Sequence, residues 1–331
     1  MRMLDALQLR PLDRPPIWFM RQAGRYLPEY RELRARYSFQ EAAHTPELAT
    51  EITLQPIRRF GLDAAVMFSD IMTPLEGMDV AVDFAPGPQL EPHSLADVLA
   101  LRDIDLERVG FVFETVLSIR KEVHPDVAVI GFCGGPFTLL AYLMEGGGSK
   151  DFMAVRSAIA GNPALADEVL DKLAAAMCAY LDAQIDAGAD AVQIFDSWAG
   201  LVPRETFADV VAPAVRNSLQ SLRAPSIYFA PGADHLHDLF PTVGATGYAV
   251  DWRRPIGETW DRIGRHHPIQ GNLDPAVLLT EPSTVRSAVE TILRETQGSP
   301  GHIFNLGHGI HRSTPVENVT AMVETVKRWS P

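Results

Sequence analysis

The sequence predicts a (β/α)8 barrel of the TIM type, an α/β fold in which parallel strands are wrapped in helices. Three observations carry that expectation. Short apolar runs rich in β-branched and aromatic residues recur along the chain, each is followed by a longer stretch with helical spacing, and the alternation never breaks into two halves. An open doubly wound sheet would carry a GxGxxG turn after an early strand, and none is present.

The strand candidates are 64–68, 127–132, 191–195, 226–229, 247–250, 269–271 and 303–306. All are apolar enough for burial on both faces, as strands covered by helices must be. Helix ends are marked in turn. Asn162 and Pro163 form an N-cap and first-turn pair ahead of 165–187, Gly188 supplies a left-handed stop, and Thr45, Pro46 and Glu47 open another helix in the same way. The eighth strand has two candidates, 17–20 and 80–84, and the second also reads as a hairpin arm. Gly146, Gly147 and Gly148 suggest a flexible loop or a tight approach to a ligand. With no linker, repeat or low-complexity tract, residues 1–331 are expected to form one domain, a distorted barrel.

Composition narrows the function. No uncharged apolar run reaches membrane-spanning length, and residues 1–14 interleave charges with leucines instead of forming a signal core, so a cytoplasmic protein without a membrane partner is expected. Cys133 and Cys178 are the only cysteines, far apart and without CxxC spacing, which favours buried free thiols over a disulfide or a cysteine metal site. A net charge of −13 argues against a nucleic-acid partner. Basic residues are nevertheless concentrated: all but four of the 29 are arginine, and seven arginines run from Arg10 to Arg36 with only Asp13, Glu29 and Glu32 as acids. Arginine presents a planar fork matched to carboxylates. The alternative is a solvated basic face paired with neighbouring acids.

Barrel active sites lie at the carboxyl ends of the strands. The residues there are Ser69 and Asp70, Gly134 and Gly135, Asp196 and Ser197, Asp251, Asn272 and Asp274, and Gly307 and His308, a polar rim unless they only cap the helices that follow. The histidine pairs His235/His237, His266/His267 and His308/His311 match no HExxH motif, Ser69 and Ser197 lack GxSxG, and the glycine run at 146–148 lacks a P-loop pattern. Neither metal nor nicotinamide nor flavin has a fingerprint, and chemistry without a cofactor is expected.

Residues 16–31, PIWFMRQAGRYLPEYR, match the pattern P-x-W-x-M-R-Q-A-G-R-Y at every specified position, and further matches follow in order at 54–60, 68–71, 131–138, 195–200, 270–275 and 305–309. In these motifs the chain resembles the uroporphyrinogen decarboxylase family over nearly its whole length. The resemblance implies a distorted (β/α)8 barrel, usually a homodimer, that turns the four acetates of uroporphyrinogen III into methyl groups without metal or organic cofactor. The substrate pyrrole is then the electron sink, and the enzyme delivers protons, holds carboxylates and stabilises a transient cation.

Residue by residue, the resemblance makes Arg21 and Arg25 carboxylate-binding arginines, one of them a candidate proton donor or orienting group. Orientation fits arginine's high pKa better. Their spacing puts them on one face of a helix, or close together in a compact loop. Asp70 matches the aspartate that faces the pyrrole N–H groups, for which an ionised, acceptor-only carboxylate is suited. Tyr142 matches a tyrosine near the reacting acetate, with aromatic packing as its bland alternative. Ser197 and His308 match substrate contacts, the histidine acting either as a cation or as a neutral donor. Arg34 falls at an arginine position, and Phe39 is expected to line the cleft. Phe137, Pro231 and Arg253 depart from the family pattern, which bears on cleft shape and rim charge. Two other readings compete: a methyltransferase relative of the same fold, which needs a His and Cys zinc set that two isolated cysteines do not supply, and a tetrapyrrole-binding protein without turnover, which would have no need of Asp70.

Overall fold

The computed structural model describes residues 1–84 and 87–329. Its strands are β1 (Ala64–Val66), β2 (Ala128–Gly134), β3 (Ala191–Phe195), β4 (Ser226–Phe229), β5 (Gly247–Ala249), β6 (Ile269–Leu273) and β7 (His302–Leu306). They form one sheet in sequential order, every neighbouring pair parallel. The sheet curls toward closure with helices outside, a distorted barrel as expected. β1 is shorter than its apolar run because the Phe68 amide leaves the ladder for the Thr53 hydroxyl on the neighbouring helix Pro46–Phe60, at 2.9 Å.

The gap between β7 and β1 is filled by the first of the two candidates for an eighth strand. Phe304 N donates to Pro16 O at 2.9 Å, Trp18 N to Phe304 O at 3.4 Å, and Asp63 N to Ile17 O at 2.9 Å. Pairing stays short because Pro15 and Pro16 have no N–H to extend it backward. The amide of Ile17 is taken up by the Asp63 carboxylate at 2.8 Å, and Arg14 grips that carboxylate with two nitrogens at 2.7 and 2.9 Å. The second candidate is a hairpin arm: Asp83 pairs antiparallel with Gln89, and Gln89 with Gly147. The glycine run is therefore a tight backbone approach tied to this hairpin, with Leu90 N donating to Gly146 O at 3.1 Å.

Two apolar layers flank the strands. Outside, the helices cover an extensive shell. Inside, Trp18, Met20, Ile130, Ile227, Phe229 and Ile303 fill the lumen, and Met3, Ala6 and Leu7 of the helix Arg2–Leu7 close its amino-terminal end. A polar chain crosses this interior from Trp18 Nε1 to Gln270 Oε1 and from Gln270 Nε2 to Gln193 Oε1, each step 3.1 Å. Buried polar groups of this kind hold a register because leaving them unpaired is costly.

Smaller expectations divide. Asn162 caps the helix Pro163–Asp186 through Leu165 N, whereas the Thr45 hydroxyl makes no capping bond. Both thiols are free and Cys133 is buried, but Cys178 is only half-buried, its Sγ 3.0 Å from Ser221 Oγ on the next helical layer. Among the described residues no helix is long and apolar enough to cross a membrane.

Candidate active site

The arginine-rich motif leaves the barrel seam as a compact loop. Met20 is held at both backbone atoms, its N donating to Asn305 Oδ1 at 3.1 Å and its O accepting from Ile310 N at 3.0 Å. Gln22, fully buried, acts as the loop's internal brace: Nε2 donates to Ala64 O, Oε1 accepts from Phe19 N, and its own carbonyl accepts from Tyr26 Oη at 2.8 Å. These bonds hold Arg21 at φ +62°, a left-handed conformation that a long side chain adopts only when its surroundings impose it. The Arg21 side chain then lies flat over Gly309, where a Cβ would stand 2.5 Å from Arg21 Cδ.

The seven arginines from Arg10 to Arg36 thus separate by role. Arg10 and Arg14 pair with Asp5 and Asp63 at the amino-terminal end, while Arg21 and Arg25 are exposed at the opposite end with no carboxylate in ion-pair range among the described residues. Arg34 donates to Tyr37 O and lies 6.0 Å from the Phe39 ring, which packs on Phe68 at 5.3 Å and Phe84 at 5.1 Å. Arg34 and Phe39 flank the strand-end turn through Phe68, and among the described residues no hydrogen bond or ion pair joins Arg34 to Asp70.

Asp70, four residues beyond β1, folds back on its own turn, with Oδ1 accepting Met72 N at 2.9 Å. Burial pushes its carboxyl up to about 6, with Glu76 adding and the Met72 amide and Arg21 opposing. Tyr142, on the helix Pro136–Glu145, is buried edge-on to Phe152 at 6.1 Å and Trp198 at 6.0 Å. Its phenol is raised by burial first, Trp198 opposing, with Asp70 and Arg21 acting on it in opposite directions. His308, beyond β7, stands open to solvent, yet the surrounding protein lowers its pKa, helped by Arg21 and Arg253 and opposed by Asp251. At neutral pH it is therefore a neutral hydrogen-bonding group. Arg21 acts on Asp70, Tyr142 and His308 alike, and Ser197, half-buried, precedes Trp198, which packs on Tyr142.

Several parts of this site escaped the reading of single motifs. Phe132, Phe195 and Phe229 are inward positions at the tops of β2, β3 and β4, in edge-on contact at 5.6 and 6.2 Å, and make an aromatic floor below the polar rim. A period-2 reading finds them only once strand register is known. Asp196, expected on the polar rim, is instead fully buried and accepts Thr138 Oγ1 at 2.6 Å, Thr138 N at 3.2 Å and Tyr228 Oη at 3.0 Å; burial raises it to about 6. Thr138 Oγ1 accepts Trp198 N at 3.2 Å, so this carboxylate fixes the aromatic wall beside Tyr142. A groove of about 330 Å³ lies apart from these residues, between Trp252, Arg253, Asn272 and Asp274 and the outer helix Pro282–Thr296. The histidine pairs serve separate places: His235 meets Val202 O at 3.0 Å, His237 is buried and lowered to about 4 by that burial, and the rings of His266 and His267 pack tilted at 4.2 Å.

The family described as uroporphyrinogen decarboxylase (URO-D) matches residues 1–329. A uroporphyrinogen decarboxylase of Alkalilimnicola ehrlichii is 44% identical over 343 residues, covering 100% of this chain and 94% of the relative. The Geobacter metallireducens enzyme of the same name is 43% identical over 335 residues, covering 99% and 98%. Among solved structures, a methyltransferase from Methanosarcina mazei superposes with a TM-score of 0.81 at 22% identity, covering 98% of this chain and 97% of that one, a likeness of fold alone.

Proposed function

This chain belongs to the uroporphyrinogen decarboxylase family, and from that membership we propose that it converts uroporphyrinogen III to coproporphyrinogen III, releasing the four acetate carboxyls as CO2. The observation that supports the reading is the meeting, at the carboxyl end of one barrel, of the Arg21 guanidinium, which has no ion-pair partner among the described residues, a half-buried carboxylate raised to about 6, and an aromatic floor. A flat tetrapyrrole edged with carboxylates calls for that combination of apolar bed, anion clamps and central acceptor.

The steps balance without an outside oxidant or reductant. Protonation of the pyrrole carbon beside an acetate makes an iminium-like ring, the C–C bond electrons flow into that ring as CO2 leaves, and protonation of the exocyclic carbon with loss of the ring proton gives the methyl group. Asp70 in its ionised form accepts the pyrrole N–H groups and stabilises the cationic ring from a dry turn, where a fixed charge acts strongly. Arg21 and Arg25 hold carboxylates, and Arg21's pre-set backbone keeps its fork in place before substrate arrives. Tyr142 keeps its proton and positions the reacting acetate by hydrogen bonding; Ser197 and neutral His308 donate to other side-chain carboxylates; Arg34 and Phe39 form the outer wall. The reaction is assigned no cofactor, because the pyrrole is the electron sink.

The same reading takes residues 1–331 as one domain, acting in the cytoplasm as a homodimer with neither nucleic acid nor membrane as partner. The net charge of −13 supports the exclusion of nucleic acid. Anaerobic incubation of purified protein with reduced uroporphyrinogen III, with and without a chelator, tests the activity. Products with seven down to four carboxylates are expected in both arms, and their absence from both overturns the proposal.

A further inference from the structure

Resting on that reading, we propose that Arg253 is a further substrate-binding residue, forming with His308 and Arg21 a subsite for a single side-chain carboxylate on the β5–β7 side of the cleft. Arg253 belongs to none of the motifs that carry the family resemblance, and its claim comes from placement.

Asp251 stands at the carboxyl end of β5 with only 5% of its surface exposed. Its Oδ1 accepts Arg253 N at 3.0 Å, and its Oδ2 accepts Gly232 N at 2.6 Å and the Arg253 guanidinium. The guanidinium also lies 4.5 Å from the centre of the Trp252 ring, and that ring meets His308 edge-on at 6.2 Å. The two loops are locked together where they cross, since a Cβ on Gly307 would stand 2.5 Å from Trp252 N. Arg253 is therefore held by a buried acid below and an indole beside it, while its side chain remains 51% exposed. A freely solvated surface arginine has neither restraint.

Charge and geometry set the ligand class. A guanidinium has five N–H donors, and Asp251 engages one of its terminal nitrogens; the rest of the fork remains for a planar acceptor. Asp251 offsets the charge of Arg253, so the local excess is that of Arg21, which suits one carboxylate better than a dianionic phosphate. Trp252 links Arg253 to His308, Arg21 lies over the adjacent Gly309, and both guanidiniums act on the imidazole.

Steady-state kinetics of Arg253→Gln and Arg253→Lys on uroporphyrinogen III test the proposal, together with the His308 titration followed by NMR. For Arg253→Gln, loss of a charge-assisted hydrogen bond raises KM about tenfold while kcat stays within about threefold of wild type. Arg253→Lys keeps a partner for Asp251 and carries the test even where the Gln variant folds poorly; its KM rises less, because a point charge lacks the fork. The His308 midpoint moves up in Arg253→Gln, since a neighbouring cation is gone. Unchanged KM in both variants, a loss confined to kcat, or an unmoved His308 midpoint overturns the subsite. Wild-type protein that leaves uroporphyrinogen III intact overturns the functional reading and this subsite with it, whereas an active wild type with unaltered variants overturns the subsite alone.

Discussion

Asp70 pays for its position in the fold. Its carboxyl is raised to about 6 by burial, so the folded state binds its proton more tightly than the unfolded chain does. The stability this contributes is complete below the ordinary aspartate pKa and is lost as pH rises through about 6. Asp70→Asn is accordingly expected to raise the unfolding free energy at pH 7 by on the order of 1–2 kcal/mol, read from denaturant titration, while turnover falls at least a hundredfold. A variant that is destabilised, or that still turns over normally, contradicts the assigned role. His308→Ala is expected to cost far less turnover, since a neutral donor is replaceable by water. In wild type, kcat/KM should rise with pH through an apparent pKa near 6, the value Asp70 shows with no substrate bound; a flat profile from pH 5 to 7, in assays where substrate stability is controlled, speaks against it. Asp70 was legible as a candidate because motif and strand-end position coincide, Arg21 and Tyr142 from their motifs alone. The strain at Arg21 and the role of Arg253 were not, since both depend on which loops cross in space.

The seam between β7 and β1 shows how a single carboxylate closes an element. Asp63 satisfies the Ile17 amide and accepts both nitrogens of the Arg14 fork, almost wholly out of water. Removing it leaves a strand amide without a partner and a largely buried guanidinium with the Pro15 carbonyl but no counter-charge. Asp63→Ala is therefore expected to destabilise the protein by about 3 kcal/mol and to speed hydrogen exchange at Ile17 and Trp18 selectively. Exchange that accelerates evenly over all strands would mean that Asp63 does not guard the seam. Asp190 repeats the device one layer on, taking Val129 N at 2.8 Å and Arg120 at 2.8 Å. The β-branched runs made the seven strands readable, because burial on both faces leaves a dense apolar signature. The eighth segment was ambiguous for a physical reason: its prolines allow too few ladder bonds to generate a strand-like run. The glycine run looked mobile in sequence because its antiparallel partner at Gln89 lies far back along the chain.

Across the whole molecule, a net charge of −13 surrounds a rim where Arg21 and Arg25 have no ion-pair partner among the described residues. An anionic substrate must cross an unfavourable field to reach a favourable site, and salt screens both. The short-range clamp dominates once contact is made, so KM should rise severalfold between about 0.02 M and about 0.5 M salt with kcat nearly constant. A KM that falls with salt would show that repulsion from the acidic surface is the larger effect. The architecture carries a last consequence for the order in which the protein is made. Trp18 and Met20 leave the ribosome early, but their partners Phe304 and Asn305 are synthesised near the end. Until then the inner face of the seam has no cover, and the arginine loop has no anchor at Met20. Completion of the barrel and assembly of its anion clamp are thus one event, and a nascent chain acquires affinity for its substrate only when its last strand has docked.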